Sequence, residues 1–387
     1  MAAPLFLHTF NCGKVKHATA EFADSITDIL PEDPPSLFAF GFQEVAPIID
    51  GCFDHLNQYL DPMLGGIELA LSEAYGPRVY KEVGRQTVGA IALVCYGNPL
   101  SFTVNKVVGA RAGCGYFRSS LKGGVGLLID LSIGKFMFVN AHLTANEGNV
   151  EYRNQDFLNI VTMMDFGNGF GAYQPNIHFF FMGDLNYRVS RNPLEDGEYD
   201  LARQDSTGQS ARLLTTTEVD YRAIDELTIE REAGNTLYGF TEPEITFKPS
   251  FKFYEHQSRY NLKRLPSWCD RILYLPYNGD EDSAQDSVVH TYNAVFNYTT
   301  SDHRAVYLHI SVPTRPPKFP LSGEVTWSTT KYGVVSLGLS PYLTINKLVG
   351  YASDQSLGYG IYATTTNRGR IYLGLGLILL FIAYLML

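Results

Sequence analysis

The stretch NIHFFFMGDLNYR, residues 176–188, combines two features that decide the fold and locate a candidate site. Its first half is a short, continuous apolar run of the kind that forms a buried β-strand. The strand then meets a glycine, and Asp184 and Asn186 follow. These two residues are two positions apart, so in an extended segment their side chains point the same way. The stretch therefore predicts a buried strand that delivers a carboxylate and an amide to one place.

The same pattern recurs along the chain from Leu5 to about Ser311. Apolar runs bounded by Gly, Pro or Asn predict strands, and apolar segments with helical spacing lie between them. Besides a first strand near the N-terminus, the predicted strands are residues 36–45, 88–97, 124–133, 135–143, 176–186, 267–277 and 305–312, and the predicted helices are residues 17–30, 52–75, 154–166 and 222–234. This alternation predicts an α/β fold with layers of helix over packed sheets.

Composition excludes several classes of protein. The 387 residues carry a formal charge of -10, with 45% apolar, 13% aromatic and 18% charged residues. Such a chain is neither a disordered acidic tail, nor a coiled coil, nor a basic nucleic-acid binder, so we expect no nucleic-acid partner. The five cysteines contain no C-x-x-C pair, which argues against a disulfide framework and a structural zinc site and favours a reducing compartment. None is followed six residues later by arginine, which argues against a cysteine phosphatase.

The C-terminal part has a different composition. Residues 371–387, IYLGLGLILLFIAYLML, contain no charged residue and follow Arg368 and Arg370. A helix of this length spans roughly 26 Å, close to the thin bilayer of the endoplasmic reticulum. We therefore expect a transmembrane tail anchor in the endoplasmic reticulum membrane, with a catalytic domain over residues 1–313 in the cytosol and a Gly/Ser/Thr-rich linker over residues 314–370. The mitochondrial outer membrane, and a buried terminal helix or strand, remain alternatives.

Polar residues stand at the ends of several predicted strands. They are Glu44, His142, Asp184, Asn186, Asp270 and His303. If these strands are neighbours in the sheets, their ends form one patch. A cluster of carboxylates, amides and imidazoles is what a hard Mg²⁺ ion and a proton-transferring group would require.

Five short sequence motifs around these residues resemble the motifs of one family. FMGDLNYR (181–188), PSWCDRIL (266–273), SDHRAV (301–306), GFQEV (41–45) and TFNCGK (9–14) resemble the inositol polyphosphate 5-phosphatases, within the endonuclease/exonuclease/phosphatase superfamily. The resemblance runs from about residue 5 to residue 312. It implies a four-layered, DNase I-like α/β sandwich of two packed, mainly antiparallel sheets flanked by helices. The tail-anchored arrangement resembles that of fungal phosphatidylinositol 4,5-bisphosphate 5-phosphatases.

The resemblance implies an activity and a set of site residues. The activity is Mg²⁺-dependent hydrolysis of the 5-phosphate of phosphatidylinositol 4,5-bisphosphate, by in-line attack of water at a cytosol-facing membrane surface. The implied metal ligands are Glu44 and Asn11, and the implied catalytic residues are Asp184, Asn186, His142, Asp270 and His303. Asn11 would act through its amide oxygen, and Asp270 would orient His303. Whether Asp184 or His303 takes the proton of the attacking water stays open.

Cations that would select the phosphates of the inositol ring are also implied by the resemblance. They are Lys122, Arg188, Lys252, Lys263, Arg264 and Arg271. The sequence departs from the family pattern at Phe251 and Phe253, which replace the tyrosines of a TYKY segment, and at Leu121, which replaces an asparagine. Leu262 also stands where many members of the family carry a basic residue. Because the loss of the tyrosine hydroxyls and of this cation weakens recognition of the 4-phosphate, the preference among phosphoinositides stays open.

Two alternative functions remain at this stage. One is another phosphodiesterase of the same superfamily, a nuclease or a sphingomyelinase. The other is a non-catalytic phosphoinositide-binding scaffold.

Overall fold

Two packed β-sheets form the centre of the protein. The computed structural model describes residues 2–174, 177–189, 224–261, 263–275, 287–313 and 338–386, with side chains as far as residue 380. The strands are β1 (Ala2–Asn11), β2 (Leu37–Gln43), β3 (Lys81–Val88), β4 (Ile91–Gly97), β5 (Val104–Gly113), β6 (Gly123–Leu131), β7 (Gly134–His142), β8 (His178–Asp184), β9 (Asp270–Tyr274), β10 (Val288–Ala294) and β11 (Val306–Pro313). The helices are α1 (Thr19–Thr27), α2 (Ile48–Cys52), α3 (Asn57–Tyr75), α4 (Val150–Met163), α5 (Glu226–Glu232), α6 (Leu343–Thr365) and α7 (Asn367–Met386).

Both sheets are mixed and mainly antiparallel. The first sheet has the strand order β10-β11-β1-β2-β4-β3, and the second has the order β5-β6-β7-β8-β9. Only the pairs β1/β2 and β7/β8 are parallel among these strands. Each parallel pair places two strand ends side by side at the same edge of its sheet, which is where the polar residues of the sequence collect.

Each sheet is apolar on both faces, so it packs against the other sheet on one side and against helices on the other. In β2, Leu37 and Ala39 face the second sheet, whereas Phe38 and Phe40 face the core formed with α1 and α3. On the other side of the sandwich, α4 packs against the outer face of the second sheet. The order helix, sheet, sheet, helix confirms the predicted four-layered architecture. Burial on both faces also explains why these strands read as continuous apolar runs.

A buried amide joins the two sheets. Asn140, on β7, donates hydrogen bonds to the carbonyl oxygens of Phe42 (3.0 Å) and Ala92 (2.9 Å) in the first sheet, and Gln43 donates to its Oδ1 at 2.5 Å. Gly41 makes this approach possible, because a Cβ there would lie 2.5 Å from the same Oδ1. The bridge ties β7 to β2 and β4, close to the strand ends that carry the polar residues.

The structure adds a helix to the C-terminal part, where the sequence predicted a linker from composition and left its structure open. Residues 314–337 of the predicted linker lie outside the described residues, but α6 occupies residues 343–365 and packs on the body, with the ring centroids of Tyr359 and Phe53 5.2 Å apart. Helix α7 covers the predicted anchor, whose last side chains, from residue 381, lie outside the description. Among the described residues, none of the helices combines the length and the hydropathy that a membrane span requires.

The inter-sheet bridge generates a stability prediction. We expect Asn140→Ala to lower the free energy of unfolding by about 2–4 kcal/mol, because it removes three buried hydrogen bonds and leaves buried polar groups without a partner. Urea denaturation measures this change. The matched control is Asn105→Ala, which removes one exposed hydrogen bond to Asp130 and should change stability by less than about 0.5 kcal/mol. Equal losses of stability in the two variants would show that the buried hydrogen bonds of Asn140 contribute no more than an exposed one.

Candidate active site

Strand register places three predicted site residues in one row. His142 of β7 pairs with Asp184 of β8, and Asp184 pairs with Asp270 of β9. Paired residues on adjacent strands point to the same face of a sheet, so their side chains stand next to one another. Asn11, the last residue of β1, approaches this row from the first sheet. The two sheets thus meet at the candidate site.

Asp184 is the centre of the site and is only 1% exposed. Its Oδ2 accepts a hydrogen bond from Asn11 Nδ2 (2.8 Å) and lies 3.3 Å from His142 Nε2 and 3.8 Å from His303 Nε2. Its Oδ1 accepts from the backbone N–H of Asn186 at 3.1 Å. Burial alone would raise the pKa of Asp184, but the charge of His303 and the hydrogen bond from His142 outweigh it and hold the pKa below its usual range. The carboxylate is therefore ionised.

His303 belongs to a second buried pair. Its Nδ1 lies 2.9 Å from Asp270 Oδ2, and the same oxygen accepts a hydrogen bond from the Ser250 hydroxyl at 2.7 Å. Burial disfavours the imidazolium, yet the charges of Asp270 and Asp184 raise the pKa of His303 to about 9. Burial raises the pKa of Asp270, although the charge of His303 opposes this shift. His303 is thus a charged donor whose Nε2 faces Asp184.

A cavity of about 210 Å³ opens beside this row and is lined by Glu44, Lys14, Lys122 and His142, among others. Lys14 Nζ pairs with Glu44 Oε2 at 2.7 Å, and Lys122 Nζ contacts His142 Nε2. Burial works to raise the pKa of Glu44, but His142 and Lys14 lower it overall. Burial and the neighbouring charge of Lys122 lower the pKa of His142. The cavity therefore joins an ionised carboxylate, two lysines and a neutral imidazole.

The donors around the cavity fit a hard divalent cation. The side chain of Glu44 is 24% exposed, so its carboxylate oxygens are accessible, and its backbone is held at the strained φ of 48°. Asp184, Asp270 and His303 form a second candidate group, with potential ligand atoms within 4.8 Å of one another. Glu44 fits better, because Asp270 and His303 are buried and already bonded to each other. The identity of the ion as Mg²⁺ stays a prediction.

The structure gives Asn11 a different contact from the predicted one. Its amide oxygen accepts a hydrogen bond from the backbone N–H of Gly13 at 3.0 Å, while its amide nitrogen donates to Asp184. Asn11 therefore orients Asp184, and the metal contact through its amide oxygen is not what this geometry shows.

Arg271 does not belong to the site, and its prediction as a substrate-binding residue is wrong. It is fully buried, with its guanidinium 2.9 Å from Asp225 and 2.6 Å from Glu242. Successive residues of a strand point to opposite faces, so Arg271 points away from the face that Asp270 presents. A buried guanidinium also requires carboxylate partners, and these two carboxylates fully occupy it.

Arg188 lies inside the site but contacts protein groups. Its Nε donates to the carbonyl oxygen of Asn186 at 3.0 Å, its Nη2 donates to the Asn186 side chain, and its guanidinium lies 4.5 Å from the Phe251 ring centroid. The amide of Asn186 in turn donates to Leu143 O at 3.0 Å. Arg188 therefore positions Asn186, and a direct contact with substrate stays a prediction.

The remaining predicted cations lie on the segments after residue 250. Lys252 pairs with Asp302 at 2.9 Å, Arg264 pairs with Glu147 at 2.5 Å, and Lys263 is exposed. A polyanionic ligand would have to displace Asp302 to bind Lys252, and Glu147 to bind Arg264. Their substrate contacts stay predictions.

Two site residues escaped the sequence analysis, although both lie within or next to segments that it singled out. Lys14 ends the TFNCGK motif and pairs with Glu44. Ser250 directly precedes Phe251, where the sequence departs from the family pattern, and it donates to Asp270. A serine and a lysine are common at protein surfaces, so only their position in or next to those segments could have indicated a role.

Comparisons with known proteins agree with this geometry. The model of Endonuclease/Exonuclease/phosphatase family 2 matches residues 8–309. Human phosphatidylinositol 3,4,5-trisphosphate 5-phosphatase 2 is 27% identical over 329 residues, which cover 78% of this chain and 24% of the human protein. This chain thus spans about a quarter of the length of that relative.

Two solved structures show the fold. The inositol polyphosphate 5-phosphatase domain of SpSynaptojanin, in complex with inositol (1,4)-bisphosphate and calcium, superposes with a TM-score of 0.64 at 18% identity, covering 95% of this chain and 94% of that one. A Cimex nitrophorin in its ferrous NO complex superposes with a TM-score of 0.57 at 18% identity, covering 81% and 99%. At such identities the likeness concerns the sandwich itself.

The pair of His303 and Asp270 predicts a stability that depends on pH. The pKa of His303 is about 9 in the folded chain against 6.5 for the free side chain, so the stabilisation is complete below the lower value and is lost as pH rises through the higher one. We expect Asp270→Asn to cost up to about 3 kcal/mol near pH 6 and much less near pH 10.

Urea unfolding at several pH values measures this difference. His290→Gln is the control, since His290 is exposed at the edge strand β10 and bonds Ser311. A loss that is the same at every pH would mean that Asp270 acts by packing and not through the charge of His303.

Proposed function

This chain belongs to Endonuclease/Exonuclease/phosphatase family 2, and we propose that it is a metal-dependent phosphatase that removes the 5-phosphate of phosphatidylinositol 4,5-bisphosphate. The family predicted from the sequence motifs is thereby confirmed. The reaction and the substrate are inferred from the site and from the relatives, which are named as 5-phosphatases of phosphoinositides and inositol polyphosphates.

One observation carries the proposal. The ionised, buried carboxylate of Asp184 lies close to two imidazoles whose pKa values are shifted in opposite directions. His303 has a raised pKa and His142 a lowered one. Hydrolysis of a phosphate monoester by water needs a group that orients or deprotonates the water and charged donors for the phosphoryl oxygens. The residues around Asp184 supply both within a few ångströms.

The contacts support a role for each of these residues. Asp184, oriented by Asn11 and Asn186, holds the attacking water and accepts its proton. His303, kept charged by Asp270, donates a hydrogen bond to a phosphoryl oxygen. Lys122 adds a second positive charge on the side of the cavity.

Glu44 would hold the divalent cation, which when bound neutralises phosphate charge and aligns the scissile group. Lys14, 2.7 Å from Glu44, keeps that carboxylate ionised and in place. The donors fit Mg²⁺, whose preference for oxygen ligands and retained waters suits a partly exposed carboxylate.

Lys252, Lys263 and Arg264 form the proposed rim for the remaining phosphates of the ring. Charge-assisted hydrogen bonds to phosphate would select polyphosphorylated inositols over singly phosphorylated ones. Because Lys252 and Arg264 have carboxylate partners, ligand binding would exchange these ion pairs for phosphate contacts.

A catalytic test uses Asp184→Asn, a nearly isosteric change that removes the negative charge. We expect kcat on phosphatidylinositol 4,5-bisphosphate to fall by about 10²–10⁴-fold, with the fold intact by circular dichroism. Asp61→Asn, on an exposed carboxylate of α3, is the control and should retain activity. Activity retained in Asp184→Asn would contradict the assigned role.

The same assay decides the substrate class. The purified chain is offered phosphatidylinositol 4,5-bisphosphate, soluble inositol polyphosphates, sphingomyelin and plasmid DNA, each with Mg²⁺ and with EDTA. We expect Mg²⁺-dependent release of the 5-phosphate from the lipid. Cleavage of DNA or sphingomyelin alone would replace the proposal by a phosphodiesterase, and binding of the lipid without turnover would replace it by a scaffold.

Attachment to the endoplasmic reticulum membrane, with the catalytic domain in the cytosol, stays part of the proposal. It rests on the charge-free composition of residues 371–387 and on the preceding Arg368 and Arg370. Deletion of residues 371–387 should move the protein from the carbonate-resistant membrane fraction to the soluble fraction. As a control, Arg368 and Arg370 can be changed to Lys, which keeps the charge. An unaltered distribution after the deletion would refute the anchor.

A further inference from the structure

Helix α6 lies against the loop that carries Lys122 into the site. This loop, taken as residues 113–122, starts at the last residue of β5 and leads into β6. Asp354 of α6 accepts a hydrogen bond from the backbone N–H of Ser120 at 2.7 Å. The hydroxyl of Ser353 shares its one proton between the carbonyl oxygens of Phe117 in the loop (2.9 Å) and Val349 in its own helix (2.8 Å). The helix thus binds backbone groups of the loop at two points, one of them two residues from Lys122.

A glycine lets α6 come this close. A Cβ at Gly350 would lie 2.5 Å from the carbonyl oxygen of Arg118, which is a backbone atom that cannot move aside without shifting the loop. Ser353 and Asp354 lie three and four positions after Gly350, so all three residues lie on one side of the helix. That side contacts three residues of the loop between positions 117 and 120.

The loop needs external support because part of its backbone is strained. Phe117 and Arg118 have φ values of 50° and 61°, in the left-handed region that non-glycine residues rarely adopt. Internal hydrogen bonds tie its two ends together, with Cys114 N donating to Lys122 O at 2.8 Å. Strained residues persist where the surrounding structure over-determines them. Two of the three contacts with α6 fall on Phe117 and Arg118, and the third falls on Ser120, two residues further on.

We propose that α6 is a positioning element of the active site, which holds the 113–122 loop so that Lys122 stays against His142 and the phosphate cavity. The proposal rests on the proposed function for the role of Lys122. It assigns a catalytic purpose to a helix that lies outside residues 8–309, the part of the chain that the family model matches. Asp354 and Gly350 act through the loop and touch no reacting atom.

The docking is tested first without any substrate. Gly350→Ala forces α6 from the loop, and Asp354→Ala removes the acceptor of the Ser120 N–H without a steric clash. We expect hydrogen exchange of a peptide covering residues 113–122 to accelerate by about tenfold or more in both variants. Two matched controls should leave it unchanged: Gly360→Ala on the same helix, where a Cβ meets nothing within 4 Å, and Asp354→Asn, whose amide oxygen still accepts.

Kinetics then test the catalytic role. For hydrolysis of phosphatidylinositol 4,5-bisphosphate by the full chain, we expect Gly350→Ala and Asp354→Ala to lower kcat by about tenfold while KM changes less than about twofold. In a Lys122→Met background, the same two changes should have less than about a twofold further effect, because the residue that they position is gone. Global destabilisation would lower activity equally in both backgrounds.

Each outcome bears on the proposal. Unchanged exchange in Asp354→Ala overturns it, since the helix then does not hold the loop. Faster exchange with unchanged kcat, or an equal loss of kcat in the Lys122→Met background, overturns the positioning role. If the wild-type chain hydrolyses no phosphoinositide, the proposed function is overturned, and the catalytic role of α6 with it. The hydrogen-exchange data still report whether the helix docks on the loop.

Discussion

The ionised carboxylate of Asp184, buried between two apolar sheets, is the constraint on which the site depends. An uncompensated charge at such a position costs several kcal/mol, so the groups around it have to balance it. Asn11 comes from the first sheet, whereas His142 comes from the second and His303 precedes β11. The charge is therefore stable only when both sheets are packed. Formation of the sandwich and formation of the site are one event.

The two histidines show how this balance creates different chemical roles. His142 lies beside Lys122, and burial together with that positive charge lowers its pKa. His303 is equally buried but lies between Asp184 and Asp270, which raise its pKa. Environments that push two pKa values apart separate a charged donor from a neutral group. The neighbouring charges, Lys122 beside His142 and Asp270 beside His303, determine which histidine carries charge at neutral pH.

Sequence patterns predicted the strands that are buried on both faces and missed three that are not. The missed strands β3, β5 and β10 all lie at sheet edges, where exposed residues interrupt the apolar runs. Polar strand ends were predicted correctly because they are local features. Arg271 was misassigned because its partners, Asp225 and Glu242, are distant in sequence. Helix α6 was read as linker because its packing face uses Gly350 and Gly358 in place of large apolar residues.

The sandwich by itself does not specify a reaction, since a ferrous NO complex of a nitrophorin shares it with a TM-score of 0.57. The apolar layers provide strand ends that converge from two sheets, and the polar residues placed there have to balance one another's charges because they are buried. Function then depends on residues at those ends and on whatever holds the loops around them. In this chain, the loop that carries Lys122 is held from outside the sandwich, by Asp354. Recognition of the fold alone would therefore overlook a contact on which the geometry of the site depends.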